Sequence, residues 1–378
     1  MTKIILAFDK FKGSATSAEV AQAASHVLHE AMPEAQVVTV PVADGGEGTV
    51  AAIAQALPQA RRVNVEVAAP LLSLPPVDAQ YLIDEASHTA VMELSAASGL
   101  TLVPPAGRDV MQATTLGTGH MMRDAIDRGC RHIVVGIGGS ATSDCATGLL
   151  SALGFEFLDS EGHEVFPCGG NLAKIARVDD SGVPDAVRQT RFTIMSDVSN
   201  VLCGPAGAAY TFAPQKGATP RQVELLDQGA RNLARLMPSG VAQRPGAGAA
   251  GGTGAGMMAF LNAQLMPGVD AVLGLLKFDK IIAGASLIFT GEGRIDAQTA
   301  MGKTPGGVLK AGHKQGIPVV ALCGTLDASV DVRALGFDAV LPIVPGPVAI
   351  EQAMERDTCL SNVRRTVSQV MQLLKISI

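Results

Sequence analysis

The sequence contains no tryptophan and only two Tyr and eleven Phe among its 378 residues. Proteins that bind single-stranded nucleic acids stack bases on aromatic side chains, and such platforms are scarce here. Like charges never form a run of five or more, and the net charge is −6. A chain without a basic stripe is not expected to bind nucleic acid or an anionic membrane surface.

Long apolar runs and paired cysteines are also missing. No segment offers about 18 uninterrupted apolar residues, so we expect no membrane span. The six cysteines include no C-x-x-C pair and no zinc-finger spacing. Free thiols in a reducing compartment are the simplest interpretation, which predicts a cytoplasmic protein.

Glycine, in contrast, is abundant. The 42 glycines among 378 residues are about 11%, against an average usage of roughly 7%. They follow no G-X-Y period, which excludes collagen, and 47% of the residues are hydrophobic, which argues against disorder. In a folded chain this surplus indicates tight turns and places where backbone approaches a ligand closely.

Both ends of the chain alternate short apolar strands with helical patterns, which is typical of a parallel sheet. The predicted strands cover residues 4–8, 37–42, 287–289, 318–322 and 339–343. The predicted helices at these ends cover about 17–31, 49–57, 303–315, 328–335 and 348–375. Five such strands predict a flavodoxin-like (Rossmann-like) α/β domain formed by residues 1–60 plus 285–378.

The middle of the chain has a different rhythm. Residues 61–69, 78–84 and 89–94 are extended runs without helices between them, which predicts an antiparallel meander. Strands over 133–137 and ending at Ser196-Asp197 follow. Helices are predicted at about 110–128, 145–153, 220–237 and 253–265. We therefore predict that residues 61–284 form an inserted mixed α/β domain.

Short loops at strand–helix junctions hold many of the glycines. A glycine loop at a helix N-terminus can cradle a phosphate, because unpaired N–H groups and the helix dipole favour an anion. None reads G-x-x-x-x-G-K-[ST], so no Walker A site is present, and each loop taken singly also fits a tight turn. The loops cover residues 9–14, 43–49, 114–119, 136–144, 245–256 and 290–296.

Charged residues share these loops. Carboxylates past strand ends fit Mg²⁺ binding or a general base, and the cations fit phosphate or carboxylate recognition. A strand-end acid can instead cap a helix, and this alternative stays open for Glu47 and Asp144. The acids are Asp9, Asp44, Glu47, Asp144, Asp197, Glu292 and Asp296, and the cations are Lys12, Lys216, Arg294 and Lys303.

Taken together, these loops resemble the glycerate kinases of bacterial glycerate and glyoxylate metabolism, nearly end to end. The matching segments are residues 41–49, 136–144, 212–218, 245–252, 291–298 and 302–303. The resemblance implies a kinase that uses ATP and Mg²⁺ and transfers the γ-phosphoryl group to a hydroxyl of D-glycerate. It implies the 2-hydroxyl, giving 2-phospho-D-glycerate and ADP, while the residue pattern alone leaves the 3-hydroxyl open.

The resemblance also implies an active site in a cleft of a two-domain fold. We expect Asp197 and Asp296 to act as general base or Mg²⁺ ligand, without deciding which does which. Lys12 and Arg294 would hold the glycerate carboxylate or the transferred phosphate. Substrate and nucleotide contacts are expected from Asp9, Asp44, Gly45, Gly46, Glu47, Gly138, Gly139, Ser140, Asp144, Lys216, Gly251, Gly252, Glu292 and Lys303.

One departure from the family pattern stands out. Residues 142–146 read Thr-Ser-Asp-Cys-Ala, where the family usually has Thr-Asn-Asp-Gly-Gly. A side chain at 145 and 146 removes the freedom for positive φ that glycine gives. The altered loop leaves a non-catalytic relative open as an alternative to the kinase. A glycine loop after a strand leaves a nicotinamide-dependent dehydrogenase open as well, although the sequence lacks the acidic residue expected after a G-x-G-x-x-G. A homo-oligomer is compatible with the sequence, which carries no signal for a particular state.

Overall fold

The computed structural model describes residues 2–43, 45–46, 48–297, 299 and 303–375. Its strands are β1 Lys3–Phe8, β2 Gln36–Thr39, β3 Arg61–Val67, β4 Val77–Asp84, β5 Thr89–Glu93, β6 His132–Gly136, β7 Glu156–Leu158, β8 Arg177–Asp179, β9 Arg191–Met195, β10 Gln264–Met266, β11 Leu287–Ile295, β12 Val319–Leu326 and β13 Ala339–Pro342.

The helices alternate with these strands. They are α1 Ser17–Ala31, α2 Thr49–Ala56, α3 Ser95–Ser98, α4 Leu116–Asp127, α5 Thr147–Ala152, α6 Asp185–Arg188, α7 Ala208–Phe212, α8 Pro220–Ala234, α9 Ala249–Phe260, α10 Gly268–Leu275, α11 Phe278–Ile281, α12 Thr304–Lys314, α13 Val332–Leu335, α14 Ile350–Met354 and α15 Arg356–Leu374. Among the described residues, no helix combines the length and the apolar character that crossing a membrane requires.

The chain divides into two compact units. The first contains Met1–Asp44, Ala51–Leu57 and Pro267–Ile378, and the second contains Gly45–Val50 and Pro58–Met266. Residues 267–284 therefore belong with the terminal segments, and 45–50 with the middle of the chain. The domain boundaries near 60 and 285 stay a prediction.

The first unit contains a sheet of five parallel strands in the order β13-β12-β11-β1-β2. Counted along this unit, the order is 2-1-3-4-5, and the predicted flavodoxin-like sheet is confirmed. The inner strands β1, β11 and β12 are mostly buried because helices pack on the sheet. Helices α1 and α15 cover one face together, where Val20, Leu28 and Val363 are inaccessible to solvent.

The second unit contains a six-stranded mixed sheet in the order β10-β9-β6-β5-β4-β3 and a separate two-stranded antiparallel sheet of β7 and β8. The pairs β3-β4 and β4-β5 are antiparallel, which confirms the predicted meander, and β5, β6, β9 and β10 run parallel. A large apolar core lies against this sheet and includes Met121, Met122 and Met257, all fully buried.

Several predicted elements are wrong in extent. The helix predicted over 253–265 ends at Phe260, and β10 follows it, because Asn262 adopts a positive φ of 50° that breaks the helix. The long helix predicted over 348–375 is interrupted at Glu355, whose extended backbone separates α14 from α15. Strand β11 continues six residues beyond the predicted 287–289, so Glu292 and Arg294 lie in a strand and not in a loop.

Candidate functional site

A cavity of about 530 Å³ opens at the carboxyl edge of the parallel sheet in the first unit. Asp9 directly follows β1. Glu292 and Arg294 lie near the C-terminal end of strand β11, and Asp296 directly follows that strand. Strands β1 and β11 are neighbours whose connections leave in opposite directions, and ligands of such sheets bind at this switch point. Six predicted site residues line the cavity together: Asp9, Lys12, Glu292, Arg294, Asp296 and Lys303.

The Asp9 carboxylate is buried and held in place from two sides. Its Oδ1 accepts a hydrogen bond from the Lys10 backbone N–H (2.7 Å), and its Oδ2 accepts one from Thr304 Oγ1 (2.8 Å). Thr304 is the first residue of α12, so the start of this helix holds the Asp9 carboxylate in place. Sequence reasoning missed Thr304, although the Thr-Pro pair at a predicted helix start was a usable signal.

Lys303 joins two acids of the cavity. Its Nζ lies 3.1 Å from Asp296 Oδ1 and 3.8 Å from Glu292 Oε2, while Thr299 Oγ1 donates to Glu292 Oε1 at 2.8 Å. Burial raises the pKa of Glu292 to about 7, against the opposing effect of the Thr299 hydrogen bond and Lys303. A carboxyl with this pKa exchanges its proton near neutrality, as a catalytic acid or base does.

Lys12 and Arg294 are exposed at the cavity mouth. Arg294 forms an ion pair with Asp327. Hydrogen bonds from Ser329, together with this ion pair, lower the pKa of Asp327. The loop that carries Lys12 lies close to β11, because a Cβ on Gly293 would stand only 3.2 Å from the Lys12 backbone nitrogen. Both cations can therefore reach an anion in the cavity.

A second cluster of predicted residues is buried in the second unit. Lys216 is 2% exposed, and its Nζ donates to Ser140 Oγ (2.8 Å) and to the Thr142 carbonyl (2.5 Å). Burial lowers the pKa of Lys216 to about 7. The lysine therefore anchors the loop that follows β6, and the structure brings Ser140 and Lys216 into direct contact.

Asp144 lies fully buried in the same loop. Its Oδ2 accepts from Thr115 N–H (2.8 Å), Thr115 Oγ1 (2.8 Å) and Gly148 N–H (3.2 Å), the last in the first turn of α5. The contact with Gly148 is the helix-capping role that the sequence left open for Asp144. Burial raises the pKa of the Asp144 carboxyl. Within the described part of the chain, Asp144 Oδ1, Thr142 Oγ1 and Ser143 Oγ have no hydrogen-bond partner.

The Gly138–Ser140 turn follows β6 and precedes α5, as predicted, but it is not directly joined to the helix. Helix α5 starts only at Thr147, because Ala146 at φ 66° lies outside the helical region. The turn instead pairs with the chain near α3, where Leu100 N–H donates to the Gly139 carbonyl at 2.8 Å. Gly138 and Gly139 remain exposed on the surface of the unit.

Gly251 and Gly252 pack against the 142–145 loop. Their φ values are 67° and 89°, and a Cβ on Gly251 would lie 2.1 Å from the Thr142 carbonyl oxygen. A Cβ on Gly252 would lie 2.5 Å from Cys145 Sγ. The glycine-rich stretch thus gives the loop room, and it buries these two backbone positions.

The other predicted residues that the structure describes are spread over the second unit. Gly45 lies beside β6, since a Cβ on Gly136 would stand 2.6 Å from the Gly45 carbonyl oxygen, and Thr49 Oγ1 donates to the Gly46 carbonyl at 2.6 Å. Asp197 is exposed just past β9. Asp44 and Glu47 lie outside the described residues.

Sequence reasoning also missed an acid in this region. Glu93, at the end of β5, accepts a hydrogen bond from the Val50 backbone N–H at 2.9 Å, in the first turn of α2. Sequence reasoning offered no signal for it, because the pairing joins residues 43 positions apart.

The acids of the first cavity fit a magnesium ion. Mg²⁺ keeps several waters and is usually held by one or two carboxylates plus substrate phosphates, and not by an all-protein cage. Among the described residues, no group of three or more His, Cys, Asp or Glu side chains could hold a metal by itself. Asp9 and Asp296 supply oxygen ligands of the right chemistry beside the cations Lys12 and Lys303.

Fold and cavity together define an α/β enzyme whose paired acids and cations suit a phosphorylated ligand. Residues 4–375 match the glycerate kinase family, and the chain belongs to that family. It is a kinase, and the nucleotide substrate follows from the family.

Several relatives match over nearly their full length. The chain is 40% identical over 376 residues to a glycerate kinase from Halalkalibacterium halodurans, covering 98% of both chains. It is 40% identical to a glycerate 2-kinase from Escherichia coli, covering 93% of both. A glycerate kinase 2 crystal structure from Salmonella typhimurium LT2 matches with a TM-score of 0.86 and 39% identity, covering 99% of this chain and 98% of that one.

Proposed function

We propose that the protein transfers the γ-phosphoryl group of ATP to D-glycerate, with Mg²⁺, giving 2-phospho-D-glycerate and ADP. The observation that carries the proposal is the cavity in which three carboxylates meet four cationic side chains, Lys12, Arg294 and Lys303 among them, at the sheet's switch point. Phosphoryl transfer needs positioning and charge neutralisation more than covalent chemistry, and this set of side chains provides both.

The cations and the acids of the cavity would have different roles. Lys12, Lys303 and Arg294 would hold phosphate oxygens or the glycerate carboxylate, since each is a donor that pairs with anions. Asp9 and Asp296 would hold Mg²⁺, which when bound neutralises phosphate charge. Asp197, or Asp296 if it does not hold the metal, would accept the proton of the attacking hydroxyl.

The name of one relative supports the 2-hydroxyl as the acceptor. The Escherichia coli relative is a glycerate 2-kinase, and the chain matches it over 93% of its length. Transfer to the 3-hydroxyl is the alternative outcome of the same chemistry. A cytoplasmic location, a homo-oligomer and the absence of nucleic-acid binding stay predictions of the sequence.

The test is incubation of the purified protein with ATP, Mg²⁺ and D-glycerate, with the product identified by NMR. We expect phosphorus coupling at C2 of the product and equimolar ADP. Phosphorus coupling at C3 would instead show that the 3-hydroxyl is the acceptor. Absence of ADP would refute the kinase proposal, and glycerate-dependent NAD⁺ reduction would favour the dehydrogenase instead.

A further inference from the structure

The cavity of the first unit has two walls of opposite character. One wall is polar and carries the acids and cations described above. The other wall is apolar and comes from the chain after β13 and from α14. The apolar wall consists of Ile343, Val344, Ile350, Ala353 and Met354.

Helix α14 keeps its apolar side chains out of the core. Ile350, Ala353 and Met354 follow the i, i+3, i+4 spacing that places them on one helix face. Ile350 is 68% exposed and Met354 is 39% exposed, which is unusual for large hydrophobic side chains. This face therefore lines the cavity as open apolar surface, which an apolar ligand group would cover with a gain in free energy.

The two walls meet at the loop after β1. A Cβ on Gly13 would lie 2.4 Å from Met354 Cε, so Met354 contacts the loop that also carries Lys12. A ligand that contacts both walls must therefore join a charged end to an apolar end over a short distance.

Glycerate does not have this shape, because each of its three carbons carries oxygen. A nucleotide does, since it joins a planar base to a chain of phosphates. The cavity volume of about 530 Å³ lies in the range of roughly 300–1,000 Å³ that takes drug-sized ligands. The cavity thus suits the nucleotide better than the acceptor.

We propose that the apolar wall of Ile343, Val344, Ile350, Ala353 and Met354 receives the base of the nucleotide, with the phosphates on the polar wall. The inference rests on the proposed kinase function, and it gives Lys12 and Lys303 to the nucleotide phosphates. Phosphates then lie at the switch point between β1 and β11, and the base extends past β12 toward α14.

The test compares two ligands that differ only in having a nucleoside. Binding of ATP and of inorganic tripolyphosphate is measured by calorimetry, without glycerate, for the wild type and for the double variant Ile350→Ser/Met354→Ser. Loss of two apolar contacts should weaken ATP binding about tenfold or more and leave tripolyphosphate within about twofold. Val348→Ser is the matched control, an exposed apolar residue outside the cavity lining that should change neither.

Circular dichroism and the melting temperature check that the double variant folds. A folded double variant that binds ATP as tightly as the wild type, or loses both ligands equally, overturns the base site. D-Glycerate phosphorylation is measured on the same samples, so the two proposals fail separately. If the wild type forms phosphoglycerate but the double variant keeps full ATP affinity, only the base site is refuted. If the double variant selectively loses ATP affinity but the wild type forms no phosphoglycerate, only D-glycerate as the acceptor is refuted.

Discussion

At the scale of single residues, the departure at 145 and 146 has a structural answer. Cys145 and Ala146 adopt φ values of 51° and 66°, so the backbone keeps the left-handed conformation that glycine would occupy at less cost. Cys145 N–H donates to the Gly251 carbonyl at 3.2 Å, and the neighbouring Gly252 leaves space for its sulfur. The loop holds this conformation without a glycine at either position, and the glycine-rich partner segment leaves room for the two side chains.

This strain leads to a stability prediction. In Ala146→Gly, relief of the left-handed strain should offset the loss of a buried methyl group, so the free energy of unfolding should stay within about 0.5 kcal/mol of the wild type. Ala125→Gly is the matched control, since Ala125 is equally buried but lies within α4, and it should lose about 1–2 kcal/mol. Chemical denaturation measures both, and equal losses in the two variants would contradict the strain.

Asp296 is the residue on which the proposed chemistry depends most. Asp296→Asn keeps the size of the side chain and removes its charge, so the fold should stay intact while kcat falls at least about a hundredfold, the scale of a lost base or metal ligand. Circular dichroism checks that the fold is intact, and steady-state kinetics with D-glycerate measure kcat. The exposed Asp357→Asn serves as control, and near-normal turnover of Asp296→Asn would remove Asp296 from the mechanism.

At the scale of elements, the extension of β11 decides where the acids lie. Gly291 allows β12 to approach, because a Cβ there would stand 2.1 Å from the Leu322 carbonyl oxygen. Gly293 and Gly324 approach each other in the same way, since a Cβ on Gly324 would lie 2.7 Å from the Gly293 carbonyl oxygen. The glycines next to Glu292 thus serve strand pairing, and the pairing positions Glu292 in the cavity.

The same contact can be tested by substitution. Gly291→Ala should lower the free energy of unfolding by at least about 2 kcal/mol, because the methyl group must push β11 and β12 apart. Gly274→Ala, in α10 with open space around it, should be neutral or raise stability by up to about 1 kcal/mol. Thermal and chemical unfolding compare the pair, and a harmless Gly291→Ala would show that the strands can separate freely.

At the scale of the whole molecule, buried Lys216 links stability to pH. Its pKa is about 7 in the folded protein and near 10.5 when the chain unfolds, so between these values the unfolded chain binds a proton that the folded one does not. Stability should therefore rise as pH increases above about 7, by up to about 1.4 kcal/mol per pH unit from this group. The free-energy penalty for burying a protonated Lys216 is absent above about pH 10.5, and it grows as pH falls to about 7.

The difference between variants isolates this effect from other titrating groups. Between pH 7 and 8.5, Lys216→Met should show a smaller rise of unfolding free energy with pH than the wild type. Lys174→Met, which removes an exposed lysine, should keep the wild-type slope. Denaturant titrations at several pH values measure the slopes, and equal slopes for all three proteins would mean that Lys216 does not change its protonation on unfolding.

The extent of sequence prediction follows from which interactions are local. The parallel sheet and the meander were predictable, because apolar strand runs and their spacing to helices are local patterns. Asp9, Glu292 and Asp296 were predictable as neighbours, since carboxyl ends of parallel strands meet at one edge. Two hydrogen bonds were not predictable, the one from Thr304 to Asp9 and the one from the Val50 N–H to Glu93. They join residues that are 295 and 43 positions apart in the sequence.

By itself, the sequence determined the α/β class, the strand order of the first unit and the segments that carry the charges. Its glycine surplus marked the right segments, but it did not separate the possible reasons for a glycine. Only the tertiary structure decided that Gly251, Gly252 and Gly291 serve close backbone contacts. It also decided that Lys216 is a buried anchor while Lys12 faces a cavity. Burial and contact across the chain depend on how the elements pack, and local composition does not encode that packing.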